Sequence, residues 1–200
     1  YSYQRAVDYC SGACLMIPRT LWEEIGGFDQ RYAPAYYEDT DLCFTVRARK
    51  YKVIYQPRAI VVHYGGASAG KETSSGYKRF QEINRHKFVE KWQTVLEKDH
   101  VFSSEGLLHA RERTGNRHIL IIDHYAPTYD RDSGSLRMLS MLQILQEMGY
   151  KVSFWPDDLA YHNKYTGKLQ DLGIEVYYGE LNFEDFIREH GQDLDAVLMS

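Results

Sequence analysis

Cysteine is scarce in this 200-residue chain, which has three, at positions 10, 14 and 43. An odd, sparse set fits neither a disulfide framework nor a four-ligand zinc site, and reads as reduced, buried thiols. The eight histidines are dispersed, with no HExxH and no Cys/His cluster of zinc spacing. Charge of one sign is also short. A formal net charge of −4 gives no reason to expect steering toward nucleic acid or an anionic membrane. No apolar run approaches a bilayer span, since "HILII" and "AIVV" are strand-sized. No signal-peptide pattern opens the chain, which points to the cytoplasm if Tyr1 is the native start. That start lies inside a strand-like phrase, and the closing "LDAVLMS" reads as the end of another strand. Internal repeats and low-complexity tracts are missing too.

What remains is an α/β chain of ordinary composition, long enough for a sizeable core. It has two halves of different grammar. Residues 1–98 mix short strands with helices, 99–117 read as a polar linker with Gly106 and Gly115, and 118–200 alternate strand and helix. In the last part "HILIID", "KVSFW", "IEVYYG" and "LDAVLM" read as strands. Between them, "SLRMLSMLQILQEMG" puts Leu136, Leu139, Leu142 or Gln143, Leu145 and Met148 at helical spacing, stopped by Gly149. "YTGKLQDLG" and "FEDFIREHG" supply two more helices. The alternation predicts a truncated Rossmann-like parallel βαβ domain. Upstream, a helix begins near Pro18 or Arg19 and stops at Gly26-Gly27, and "YKVIYQPRAIVVHYGG" reads as two strand pieces split by Pro57. Residues 76–98 form an amphipathic helix with a stripe of Phe80, Ile83, Lys87 or Phe88, Lys91 or Trp92, and Val95. Its other face carries Lys78, Arg79, Arg85, Lys87 and Lys91 and reads as a solvated cationic surface.

The densest chemistry is "YYEDTDLCF", residues 36–44, where Glu38, Asp39 and Asp41 crowd together. A calcium loop beginning at Asp39 would need Gly at its sixth position, where Phe44 stands. A helix start is sensible: Asp39 or Thr40 can cap backbone N–H groups, Asp41 suits the first turn, and Leu42, Cys43 and Val46 face inward. The same placement also suits a general base, which needs fixed geometry and a like-charged neighbour to raise its proton affinity. Local sequence leaves both readings open.

A longer pattern bears on the choice. "SGACLMIPR", "GGFDQRY", "YYEDTDL", a basic helix end and "YQPRAIVVHYGGAS" follow one another between Val7 and Trp92. This order closely resembles the C-terminal half of the catalytic domain of inverting family 2 glycosyltransferases, which have the GT-A fold. The resemblance implies that Asp39 deprotonates an acceptor hydroxyl, with Glu38 and Asp41 orienting it and binding acceptor hydroxyls. It implies that His63, 24 positions after Asp39, ligates a divalent metal, Mn2+ or Mg2+, at the donor diphosphate. Gly12 and Ala13 would line the acceptor side, together with Glu38. Ser68, Arg85 and Lys87 are offered as phosphate contacts, and the glycine- and serine-rich stretch after His63 as a mobile closing loop. The family's metal-binding D-x-D and nucleotide-binding half are absent, so the chain reads as a fragment, inactive alone.

From residue 117 on, "RHILIIDHYAPTYDRDSGSLRM" resembles the start of a family 4-like GT-B glycosyltransferase module. Ser133 and Gly134 stand where a strand enters a helix and are candidate phosphate contacts, the plainer reading being an ordinary N-cap. The expected partners are a nucleotide-sugar donor and a glycan or lipid-linked acceptor, without nucleic acid. A cytoplasmic place at the inner face of the membrane, with peripheral association of the full-length protein, follows from the same resemblance. The alternative is a non-catalytic sugar- or partner-binding piece whose acidic cluster is only a cap.

Overall fold

The computed structural model describes residues 2–64, 78–100 and 117–200. The chain divides into two compact units, Arg5–Phe102 and Tyr1–Gln4 with Ser103–Ser200. The division falls inside the polar 99–117 stretch, of which 101–116 lie outside the described residues.

The first unit pairs two three-residue strands, β1 (Arg5–Val7) and β2 (Val53–Tyr55), antiparallel, with Ala6 opposite Ile54. Helix α1 (Arg19–Ile25) ends on Gly26 at φ 86°, the left-handed C-cap that glycine adopts without strain. Helix α2 (Glu38–Ala48) turns Leu42, Cys43, Phe44 and Val46 into the interior. Helix α3 (Arg79–Asp99) lays Phe88 against Tyr32 and Phe44, with Tyr37, Trp92, Val95 and Leu96 around them.

Two expectations change here. The buried stripe of α3 runs through Asn84, Phe88 and Trp92, while Ile83 is 45% exposed. A four-residue step, rather than the three that linked Phe80 to Ile83, sets the inward face. The second strand piece after Pro57 does not form: residues 58–64 are irregular, and Ile60, Val62 and Tyr64 are exposed.

The second unit holds a four-stranded parallel sheet in the order β5-β4-β3-β6. Its strands are β3 (His118–Asp123), β4 (Lys151–Pro156), β5 (Glu175–Val176) and β6 (Ala196–Met199). Helices α4 (Ser133–Glu147), α5 (Tyr165–Asp171) and α6 (Phe183–His190) make the crossovers. Alternate residues of β3 and β4 serve two cores, as a sheet covered on both faces requires. Ile121, Val152 and Phe154 pack with Met138, Leu139, Leu142 and Leu169, whereas Leu120 and Trp155 meet Phe186. In α4 the buried set is Ser135, Met138, Leu139 and Leu142. Leu136 and Met148, read as part of that stripe, are exposed.

Candidate functional site

The acidic helix has an unusual start. Tyr36 and Tyr37 both adopt left-handed backbone, with φ of 71° and 73°. Side chains with a Cβ resist that region, at a cost of about 1–3 kcal/mol each. Tyr37 is the N-cap and supplies no side-chain cap bond, so the helix begins at Glu38 with all three carboxylates in its first turn. The cap therefore belongs to neither Asp39 nor Thr40, although the carboxylates of Glu38, Asp39 and Asp41 sit where the helix dipole favours negative charge.

The three carboxylates diverge in their surroundings. Asp41 is 2% exposed and serves as a buried hub. It accepts from the Tyr32 hydroxyl at 3.1 Å, the Trp92 indole N–H at 2.7 Å and the Lys91 ammonium at 2.8 Å. Buried to this degree and bonded on both oxygens by side chains, Asp41 has a structural place rather than the ligand contact expected of it. Lys91 is accordingly not a solvated cation, because it also reaches Asp29 at 2.9 Å. Burial pulls the Asp29 carboxyl up, but the Arg31 amide and the Lys91 charge outweigh it and hold the group below its usual range. Burial, then the Asp41 charge, push the Tyr32 phenol well above its usual range.

Asp39 faces the other way. Its Oδ2 accepts the Gly12 N–H and its Oδ1 the Thr40 N–H, each at 2.7 Å. The Gly12 contact is the last rung of a strap along α2. Asp8 pairs with Arg47 at 3.0 Å, the Cys10 N–H donates to Cys43 Sγ at 3.5 Å, and Gly12 meets Asp39. Residues 47, 43 and 39 are one helical turn apart, a rise of about 6 Å per step. Two residues of near-extended chain advance about 6.6 Å, so steps of two along 8, 10 and 12 keep pace. Gly12 fits closely at the last rung: an added Cβ would lie 3.1 Å from Asp39 Cβ and 3.2 Å from its Oδ2, so the Asp39 side chain would have to give by a few tenths of an ångström. Glycine was expected here to admit sugar or backbone, and what it admits is the Asp39 carboxylate. Ala13, beside it, is exposed, with its N–H on Ser11 Oγ at 3.3 Å.

Glu38 borders a cavity of about 330 Å³ lined by Phe28, Asp29, Gln30, Tyr32, Ala33, Pro34 and Ala35. Its Oε2 is buried without a hydrogen-bond partner among the described residues. Burial raises the Glu38 carboxyl, and the Asp39 charge adds to that rise.

The remaining candidates scatter. His63 is exposed on the irregular segment, and no group of three His, Cys, Asp or Glu among the described residues could hold a metal. The described residues thus do not by themselves fit a divalent ion. Arg85 is exposed on α3, and Lys87 donates to the Arg31 carbonyl at 2.7 Å. Ser68 and the closing-loop stretch from 65 onward lie outside the described residues. In the other unit, the N-terminus of α4 at Ser133 and Gly134 is occupied by Asp132, whose carboxylate accepts from the Ser135 N–H at 2.7 Å. The Ser135 amide, the Ser135 hydroxyl and the Thr128 hydroxyl hold Asp132 below the usual range. A carboxylate in that position repels phosphate, so the ordinary N-cap is what the structure shows. Of the three thiols, Cys43 is buried, Cys10 half-buried and Cys14 exposed, against the expectation of three buried ones. Burial pushes Cys10 and Cys43 up, which makes them poor nucleophiles.

Asn84 and Tyr32 are not singled out from the sequence, and Lys91 is named there both as an alternative in the stripe and as part of the cationic face. A signal existed in the ladder Phe80, Asn84, Phe88, Trp92, Leu96, where an asparagine occupies an otherwise apolar row of four-residue steps.

Residues 2–89, which contain the strap and the acidic helix, match the family model described as "Glycosyltransferase like family 2". Among curated proteins, the chain is 36% identical over 72 residues to N-acetylglucosaminyl-diphospho-decaprenol L-rhamnosyltransferase of two Mycobacterium tuberculosis strains, CDC 1551 / Oshkosh and ATCC 25618 / H37Rv. That stretch is 36% of this chain and 23% of the relative. An uncharacterized protein, y4gI, of Sinorhizobium fredii is 36% identical over 62 residues, 31% of this chain and 7% of its own length. The chain thus spans less than a quarter of the length of these relatives. No solved structure matches it.

Proposed function

We propose that the first unit forms the acceptor side of an inverting glycosyltransferase site in which Asp39 is the general base. One observation carries the reading: the Asp39 carboxylate is fixed by two backbone N–H groups at 2.7 Å, inside the stretch matched by the glycosyltransferase model. A base held by main chain keeps its geometry without spending a side-chain rotamer during reaction.

In the proposed step, a hydroxyl oxygen of the acceptor attacks the anomeric carbon of a nucleotide-diphosphate sugar. Its proton passes to Asp39 as the new C–O bond forms, and the bond to the diphosphate breaks on the opposite face, releasing the nucleoside diphosphate. A single displacement inverts the anomeric centre and needs one base, without a covalent sugar intermediate. Glu38, unpartnered at Oε2 beside the 330 Å³ cavity, is placed to bind acceptor hydroxyls. The donor's binding groups, and any divalent metal at its diphosphate, require residues beyond those described, and no step is assigned to them. The name of the Mycobacterium tuberculosis relatives, N-acetylglucosaminyl-diphospho-decaprenol L-rhamnosyltransferase, supports a lipid-linked acceptor as substrate class. No described helix is long and apolar enough to cross a membrane.

For residues 118–200, the parallel sheet and its order support a Rossmann-like unit. A family 4-like GT-B module is our reading of it, resting on the "PTYDRDSGSLRM" stretch. The proposed reaction is tested by anomeric configuration: proton NMR of the product is expected to show inversion, with no glycosylated protein by mass spectrometry. Retention of configuration would overturn the mechanism.

A further inference from the structure

Asn84 is fully buried on α3, 45 positions after Asp39. Its side-chain Nδ2 lies 2.8 Å from the Tyr32 carbonyl, 2.8 Å from that of Ala35 and 3.1 Å from that of Tyr36. An amide has two N–H donors, so three carbonyls share two hydrogens and one bond is bifurcated. These three carbonyls belong to the loop that enters the left-handed pair Tyr36–Tyr37, and α2 starts immediately after it. The N-cap itself adds no side-chain bond, and Tyr37 contributes a ring contact with Phe88. On its own side Asn84 is rigid: Phe88 and Trp92 pack into the core one and two turns further along α3, and Lys91 is tied to Asp29 and Asp41.

We propose that Asn84 is a positioning residue that holds the Tyr36–Tyr37 turn and thereby aims Asp39 at Gly12. The inference rests on the reading of Asp39 as base. The chemistry is specific to the amide. Aspartate offers acceptors where donors are needed, leucine has the size without the donors, and glutamine places its amide one methylene too far. A buried polar group that only filled space would have no reason to face three carbonyls of one loop.

The experiment uses hydrogen exchange by mass spectrometry and steady-state kinetics on the full-length protein. In Asn84→Leu and Asn84→Ala, exchange at the Gly12 and Thr40 amides is expected to rise about tenfold or more while the β1–β2 amides stay protected. In parallel, kcat is expected to fall about tenfold or more with donor KM within about twofold. Unchanged exchange at Gly12 and Thr40 in a folded variant would overturn the positioning role. Should Asn84→Ala fail to fold, Tyr36→Gly supplies the second arm, since glycine takes the left-handed turn freely. The Tyr36→Gly/Asn84→Ala pair is then expected to regain the fold and much of the protection, and failure to do so would overturn the proposal. Faster exchange with unchanged kcat would support the placement of the turn and overturn the reading of Asp39 instead.

Discussion

At the scale of single residues, the site depends on what Gly12 omits and what Glu38 lacks. With Asp39 atoms 3.1 and 3.2 Å from the place of a Cβ, Gly12→Ala forces the strap or the carboxylate to shift. Overpacking of this kind costs about 1–3 kcal/mol. A misplaced base costs more in rate than in stability, so transfer by Gly12→Ala is expected to fall roughly a hundredfold. Comparison of kcat with the melting temperature checks this. Glu38 acts in the opposite sense on stability. Its folded carboxyl is raised by burial, so its contribution is complete below the ordinary carboxylate range and is lost as pH climbs through the raised value. Glu38→Gln removes that loss, and thermal melts should show a higher melting temperature near neutral pH, with little change in acid. Asp39 was legible as a base candidate in the sequence because a motif order surrounds it. The close approach of Gly12 to Asp39 was not, since a contact 27 positions apart leaves no periodic trace.

Among the elements, the junction of α2 and α3 is held by charge as well as by rings. Lys91 serves Asp41 and Asp29 at once, and Trp92 donates to Asp41 beside it. Lys91→Met would strand a carboxylate that is 2% exposed, which costs about 3–5 kcal/mol. Urea unfolding of the Lys91→Met and Lys91→Met/Asp41→Asn variants measures it, and the double variant is expected to recover most of the loss. Asp29 adds a pH signature. Its lowered carboxyl stabilises the fold above the ordinary carboxylate range and ceases to as pH falls through the lowered value. Acid unfolding of Lys91→Met should therefore begin at higher pH than in the parent. Helical periodicity located α2 and α3, but not which face of α3 turns inward. Phe80 and Ile83 suggested a three-residue step, and the choice fell to Asn84, whose partners lie in a distant loop. Likewise, alternation in "RAIVVH" looked like a strand, yet a strand needs a neighbour to pair with, and none of the described residues supplies one.

Over the whole molecule, the two units differ in how far their sequences disclose them. Four apolar runs separated by helical stretches suffice to expect the parallel sheet. The order β5-β4-β3-β6 is a matter of adjacency, which periodicity does not encode. At Ser133 and Gly134 the plainer of the two readings, an ordinary N-cap, describes the helix start, where the Asp132 carboxylate accepts the Ser135 N–H. The first unit holds the fixed Asp39 carboxylate and a cavity beside Glu38, while no group of three His, Cys, Asp or Glu among the described residues could hold a metal. Calorimetric titration of the 200-residue chain with UDP-, GDP- and dTDP-sugars is therefore expected to give Kd values weaker than about 1 mM. The most direct measurement concerns Asp39 itself, as Asp39→Asn in the full-length protein, with transfer and donor binding followed together. The account predicts that transfer falls by about a thousandfold or more while donor affinity stays within about threefold. If Asp39 is only the strut that fastens Gly12 to α2, the variant will melt earlier but transfer will persist within about tenfold of the parent, and that result would contradict the account.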